Sequence, residues 1–230
     1  MNKIKDSSAT VAQHIGKGLM MPTPAKKQMA LSVEARILAA AEKVFAEKGL
    51  NGARIREIAE LAKVPPSQVI YYYKTKENLY KTVIENYYIK VERSLYPVVM
   101  EEIPPKEKLS KMIVTAIDLL AENDHAARIL LRESIDKGKY VNEVLSKPYL
   151  RELFDLTEHY VLSESKPNSQ QPNETIHLIT NIFGCVMMFF IGATTIRDFW
   201  KKDIYTKQMI EERKKAVLEF IFNGIGNRFE

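Results

Sequence analysis

An all-α fold is predicted for this 230-residue chain, on three observations. Its ten prolines fall at 22, 24, 65, 66, 97, 104, 105, 148, 167 and 172 and leave long proline-free runs between them. Within those runs the apolar residues recur every three or four positions, the period of one helix face. The one stretch that reads as a strand by residue preference, Val69 to Tyr73, has no second convincing strand to pair with.

The first element is a helix over Val33 to Lys48, with Val33, Ile37, Ala40, Ala41, Val44 and Phe45 on one face, Ser32 as N-cap and Gly49 as stop. "RIREIAELAKV" repeats the pattern over two to three turns with Ile55, Ile58, Ala59 and Ala62. The double proline follows. Pro65 holds the entry extended and Pro66 suits the first helical position, where its missing N–H costs no internal bond. In the helix this opens, Val69 and Tyr73 share the inward face, leaving Ser67, Gln68, Tyr71 and Tyr72 outward. Two phenols side by side on a surface point to a binding face. Thr75 then caps a longer helix from Lys76 to about Tyr96, with Pro97 as its stop. Lys74 and Lys76 sit at its positive end, unfavourable for cations unless an external anion such as a phosphate joins them.

Beyond it, helices are predicted near 106–122, 124–137, 146–165, 173–201 and 205–226, separated by the loops "EEIPPKE", "DKGKY" and "SKPNSQQPNE". Leu178 to Ile196 holds nineteen residues without a charge, long enough to cross a membrane. Thr180, Asn181, Thr194 and Thr195 within it argue against a span, so no membrane partner is expected. A helix apolar nearly all round is otherwise buried all round, as when its two sides face its own domain and a second subunit. Gly184, Met188 and Gly192 recur every four residues and would let two such helices approach closely. Val217, Phe220 and Ile221 of the last helix supply a further apolar face.

Composition agrees with a folded protein: 46% hydrophobic and 27% charged residues allow a substantial core. Cys185 is the only cysteine, which excludes an internal disulfide framework and a cysteine-cluster zinc site. With no apolar run of the signal-peptide kind at the start, a cytoplasmic location is expected. The net charge of +5 is uneven: residues 1–30 carry five Lys against one Asp, and residues 31–97 eleven Lys or Arg against eight Glu, whereas residues 98–230 are slightly acidic. A basic N-terminal side suits a polyanion such as nucleic acid.

The stretch "RILAAAEKVFAEKGLNGARIREIAELAKVPPSQVIYYYKTKENLYKTVIE" resembles the N-terminal DNA-binding domain of TetR/AcrR-type transcriptional regulators over about fifty consecutive residues. Several independent parts carry the likeness: "AAAEKVFAEKGL" with its Gly stop, "IREIAELAKV", and a tyrosine-rich third helix followed by "KTKENLY". The resemblance implies a basic flexible tail over 1–30, a three-helix helix-turn-helix DNA-binding domain over 31–80, and a helical effector-binding and dimerisation domain over 81–230. It places Gln68, Tyr71 and Tyr72 where the family touches bases and phosphates, and Lys76 on its phosphate-contacting lysine. Arg54, Pro66, Ser67 and Lys74 complete the expected DNA-binding set. Ala53, Lys63, Pro65 and Ile70 depart from the family's usual hydroxyl, turn glycine, capping serine and tyrosine.

The expected function is a TetR-type regulator, a repressor released from palindromic double-stranded DNA by a small, largely apolar effector. The alternative is a small-molecule-binding helical dimer whose helix-turn-helix has lost DNA binding. A homodimer is expected through the last two long helices, at Gly184, Met188, Gly192, Val217, Phe220 and Ile221. Effector-pocket candidates are Met112, Phe154, Phe183, Met187 and Phe190. The helix from Lys76 is expected to be the one continuous link between pocket and recognition helix. The histidines His125, His159 and His177 show no metal spacing, and no cofactor, metal site or catalytic constellation is expected.

Overall fold

The computed structural model describes residues 32–136, 138–145 and 174–224. The expected tail, the expected helix at 146–165 and the pocket candidate Phe154 lie outside the described residues. The described residues from Val33 onward belong to one compact unit, and all their regular structure is helical.

Helix α1 (Val33–Gly52) buries Ile37, Ala40, Ala41, Val44 and Phe45. Regular geometry ends where the sequence places the stop, at Gly49 (φ 67°, ψ 178°), and one irregular turn follows. Helix α2 (Ile55–Ala62) buries Ile58, Ala59 and Ala62. It ends on Lys63 in the left-handed region (φ 57°, ψ 50°), with Lys63 N donating to Glu60 O and Val64 N to Ala59 O. Left-handed closure of this kind satisfies carbonyls that the last helical turn leaves free. Helix α3 (Pro66–Tyr73) opens with proline in its first turn and buries Val69 and Tyr73.

Helix α4 (Lys76–Met100) is capped by Thr75, whose hydroxyl accepts from Asn78 N at 3.0 Å. It does not stop at Pro97, which lies inside it. A proline in the last turn removes one internal hydrogen bond, and here Val99, fully buried, holds that turn in place. Helices α5 (Pro105–Glu122) and α6 (Asp124–Ile135) follow; the Asn123 side chain caps α6 by accepting from His125 N and Ala126 N. The "DKGKY" loop is shorter than expected, because α7 (Lys139–Leu145) begins within it. Gly138 makes the turn at φ 63°, and the buried Glu133 carboxylate accepts from Tyr140 N (3.0 Å) and Val141 N (3.3 Å), capping α7 from another helix.

The single helix expected at 173–201 is two, α8 (Glu174–Ile191) and α9 (Ala193–Trp200), bent by 57° about Gly192. A glycine followed closely by two β-branched threonines is a weak point in helical propensity. Among the described residues no single helix is long and apolar enough to cross a membrane. Helix α10 (Lys207–Asn223) is capped by Thr206, whose hydroxyl accepts from Met209 N.

Two hydrophobic cores organise these elements. The first unites α1, α2, α3 and the start of α4 with Ile129 of α6 and Val144 of α7. The second unites α5, α6, α8 and α10 around Ile117, Leu120, Met187, Phe190 and Val217. Tyr88 and Val141 pack against both, so α4, α6 and α7 bridge the two.

Candidate nucleic-acid interface

Helix α3 is fastened by its inward residues: Val69 is 1% exposed and Tyr73 7%. The Tyr73 hydroxyl reaches Glu34 O at 3.5 Å, and burial pushes its pKa well above the ordinary tyrosine value. Everything else on the helix is outward. Pro66, Ser67 and Gln68 are exposed, as are Ile70 (44%), Tyr71 (71%) and Tyr72 (42%). The Tyr71 and Tyr72 rings meet edge to face with centroids 5.4 Å apart, which holds two large side chains in fixed relation before any partner arrives.

Two cations beside α3 are already engaged. Lys74, at φ 66°, donates from Nζ to Tyr71 O at 2.9 Å and lies 5.3 Å from the centre of the Tyr71 ring. Lys76 is half-buried and donates from Nζ to Ala53 O at 3.0 Å, tying α4 to the turn before α2. An ammonium has three donors, so one bond leaves two for an external anion. Arg54 is exposed at the start of α2, whereas Arg56 pairs with Glu60 at 3.0 Å. Lys48 holds Glu57 at 2.7 Å, and that hydrogen bond lowers the Glu57 pKa. The Arg36 guanidinium donates to Ala62 O at 3.2 Å and closes the end of α2.

The other expected sites are less unified. Met187 and Phe190 are buried in the second core and Met112 is half-buried on α5, but Phe183 is 54% exposed. These four therefore do not converge on one lining. Of the interface residues, Gly184 faces open space, and Met188 and Phe220 are exposed together with Ile179 and Phe183. Val217 is instead fully taken up by the second core, and Ile221 packs against it. Gly192 serves the bend: a Cβ there would lie 3.1 Å from Met188 O.

Sequence reasoning missed the junction between the two cores. Arg132 Nη2 donates to Glu47 O at 2.9 Å, and the Asn123 amide reaches Glu42 at 3.4 Å. Beside them a cavity of about 10 Å³, room for one water at most, is lined by Glu42, Val83, Tyr87 and Ile129 among others. Tyr80, fully buried, has its pKa pushed up by burial and by the charge of Glu133, and it packs edge to face on Phe45 and Tyr140. Arg213 was likewise not singled out; it donates to Cys185 O, lies over the Phe189 ring, and has its pKa lowered by desolvation.

A short helix presenting Ser67, Gln68, Tyr71 and Tyr72 outward, set behind a supporting helix and ahead of a larger helical body, defines a DNA-binding transcriptional regulator. The family model for bacterial regulatory proteins of the tetR family matches residues 37–83. The HTH-type transcriptional regulator RutR of Escherichia coli K12 is 23% identical over 208 residues, covering 86% of this chain and 95% of RutR. The HTH-type transcriptional repressor NicS of Pseudomonas putida is 27% identical over 121 residues, covering 53% of this chain and 57% of NicS. The crystal structure of FadR from Bacillus subtilis, in complex with stearoyl-CoA, superposes with a TM-score of 0.61 at 23% identity, covering 83% of this chain and 98% of that one. Over residues 37–83 the chain matches the tetR family of bacterial regulatory proteins, and the fold of its described residues is shared with FadR. Its relatives are regulators, a class distinct from enzymes.

Proposed function

We propose that this regulator is a cytoplasmic repressor that binds a palindromic operator as a homodimer and is released by a small, largely apolar effector. One observation carries the reading: the outward face of α3 offers Gln68, Tyr71 and Tyr72 together on a rigidly packed support. A helix of this length fits the major groove, where Gln can make paired hydrogen bonds to adenine and Ser reads more loosely. Tyr72, Lys74 and Lys76 take phosphates, with Arg54 and Pro66 flanking. One helix specifies few base pairs, so two are needed about 34 Å apart on a two-fold axis.

The division of labour follows: residues 31–80 form the reading head and residues 81–230 the effector-binding and dimerising body. The exposed apolar residues Ile179, Phe183, Met188 and Phe220, with Gly184 between them, supply the dimer face. Repression is supported by the name of NicS, and an apolar effector by the stearoyl-CoA bound to FadR. The test is a gel shift of the full chain on the DNA upstream of its own gene, repeated with stearoyl-CoA present. Retarded DNA freed by the acyl compound is the expected result. Retardation that persists would refute a long-chain acyl effector, and absence of retardation at low salt would refute operator binding at that site.

A further inference from the structure

Helix α9 ends on two exposed aromatic side chains. Phe199 is 76% and Trp200 60% exposed, and their ring centroids lie 4.8 Å apart. Trp200 lines an open cleft of about 600 Å³ between α9 and α10, together with Ile196 of α9 and Met209 of α10. A volume of this size takes a drug-sized molecule. The effector candidates Met112, Phe183, Met187 and Phe190 do not line it, so it is a separate space. Lys201 and Lys202 do line it. Lys201 stands at φ 55° and ψ 35°, in the left-handed region that glycine enters freely, and lysine at this helix end keeps a charge where a neutral residue would suit the backbone better.

The cleft also holds two carboxylates, and hydrogen bonding sets them apart from the lysines. Asp203 Oδ1 accepts from Tyr205 N at 3.0 Å, and Glu212 Oε1 accepts from the Gln208 amide at 2.8 Å. The side chains of Lys201 and Lys202 make no ion pair or hydrogen bond among the described residues. Each ammonium therefore keeps three donors for a ligand. An exposed indole offers a flat ring its face, and a methionine sulfur makes favourable contact with ring edges. We infer that the α9–α10 cleft binds a planar aromatic carboxylic acid, its rings against Trp200, Ile196 and Met209 and its carboxylate at Lys201 and Lys202. This site is additional to operator binding and to an acyl effector, and depends on neither.

Trp200 is the only tryptophan of the chain, so its fluorescence reports on this cleft alone. The full chain is titrated with biphenyl-4-carboxylate and, separately, with biphenyl-4-carboxamide, which keeps the rings and lacks the charge. The acid is expected to change Trp200 emission saturably, and the amide to bind about tenfold more weakly, the ratio set by exchanging a charged hydrogen-bond acceptor for a neutral one. A double variant, Lys201→Gly with Lys202→Gln, is expected to bind the acid no more tightly than the amide while its affinity for the amide is unchanged. Glycine accepts the positive φ at 201, and thermal melting checks that the fold is kept. The inference is overturned if the acid leaves Trp200 emission unmoved, as it would if a second protomer covered the cleft. It is equally overturned if acid and amide bind alike to the wild type, or if the double variant still prefers the acid.

Discussion

Arg132 on α6 donates from Nη2 to the carbonyl of Glu47 on α1 at 2.9 Å, bridging 85 positions of chain. That carbonyl lies in the last regular turn before the Gly49 break, where carbonyls have no partner further along the helix. The next residue, Glu133, reaches the other way, accepting from the amides of α7 with its charge felt by Tyr80 of α4. Helix α6 therefore grips the reading head and the start of α4 from two consecutive positions. The expectation that α4 is the one link between body and head gives way to two links, α4 itself and α6 through Arg132.

This junction is testable through the glycine it encloses. Gly49 has φ 67° and ψ 178°, a region open essentially to glycine, and a Cβ there would meet Arg132 Nη1 at 3.4 Å. Gly49→Ala is expected to destabilise the fold by about 1–3 kcal/mol. Arg132→Ala, exposed and losing one hydrogen bond, is expected to cost about 1 kcal/mol. Denaturant midpoints measure both. Equal stability of Gly49→Ala and the wild type would show that the backbone there relaxes.

At the reading face, Gln68→Ala should lose about 1–3 kcal/mol on the operator duplex and little on scrambled DNA. Lys76→Ala should weaken binding to both alike and flatten the salt dependence by about one unit. Because Lys76 also holds Ala53 O, its melting temperature is read alongside. An unchanged salt slope in a stable Lys76→Ala protein would remove it from the phosphate set.

For assembly, Gly184 is the position to charge. Its missing Cβ faces open space, so Gly184→Glu leaves the protomer intact while placing a carboxylate on the proposed dimer face, a cost of several kcal/mol if it is buried unpaired there. Sedimentation should show monomer. Gly192→Glu is a poorer probe, since its Cβ already crowds Met188 O. A stable dimer of Gly184→Glu would move the interface away from this face.

Four tyrosines, Tyr73, Tyr80, Tyr87 and Tyr88, have pKa values raised chiefly by burial, Tyr88 to about 12 from 10.0. Their unfolded forms lose the proton near pH 10 while the folded forms keep it, so the folded state binds more protons above that pH. Stability is then fully present below pH 10 and falls as pH rises toward 12, by about 1.4 kcal/mol per pH unit for each tyrosine still protonated in the fold. Tyrosinate absorbance and helical circular dichroism should change together. Ionisation of all eleven tyrosines near pH 10 with the helices intact would contradict this burial.

The reading head was legible in the sequence because its signals are local. Pro66, Thr75 and Gly49 act on the backbone within a residue or two, and Val69 and Tyr73 can be assigned inward from spacing alone. The misses are non-local. Helix α7 depends on the Glu133 carboxylate turning back across Gly138 to cap it; that residue stands only three positions before "DKGKY", but its capping role comes from the path of the turn and not from spacing. Pro97 is carried inside α4 because Val99 is buried against other elements. Val217 and Phe220 look alike as apolar residues of one helix, and packing alone separates core from exposed face. The pocket candidates rest on residue type, which does not distinguish the buried Met187 from the exposed Phe183.

Lys63 and Lys74 stand at either border of α3, and both hold positive φ angles, 57° and 66°. Such backbone costs a side-chain-bearing residue about 1–2 kcal/mol that glycine would not incur. Glycine at these two places would give a sturdier head with two fewer positive charges beside its recognition helix. The chain thus carries a standing deficit of stability in the domain that must meet a polyanion, and the most stable version of this head is not the one best equipped to hold DNA.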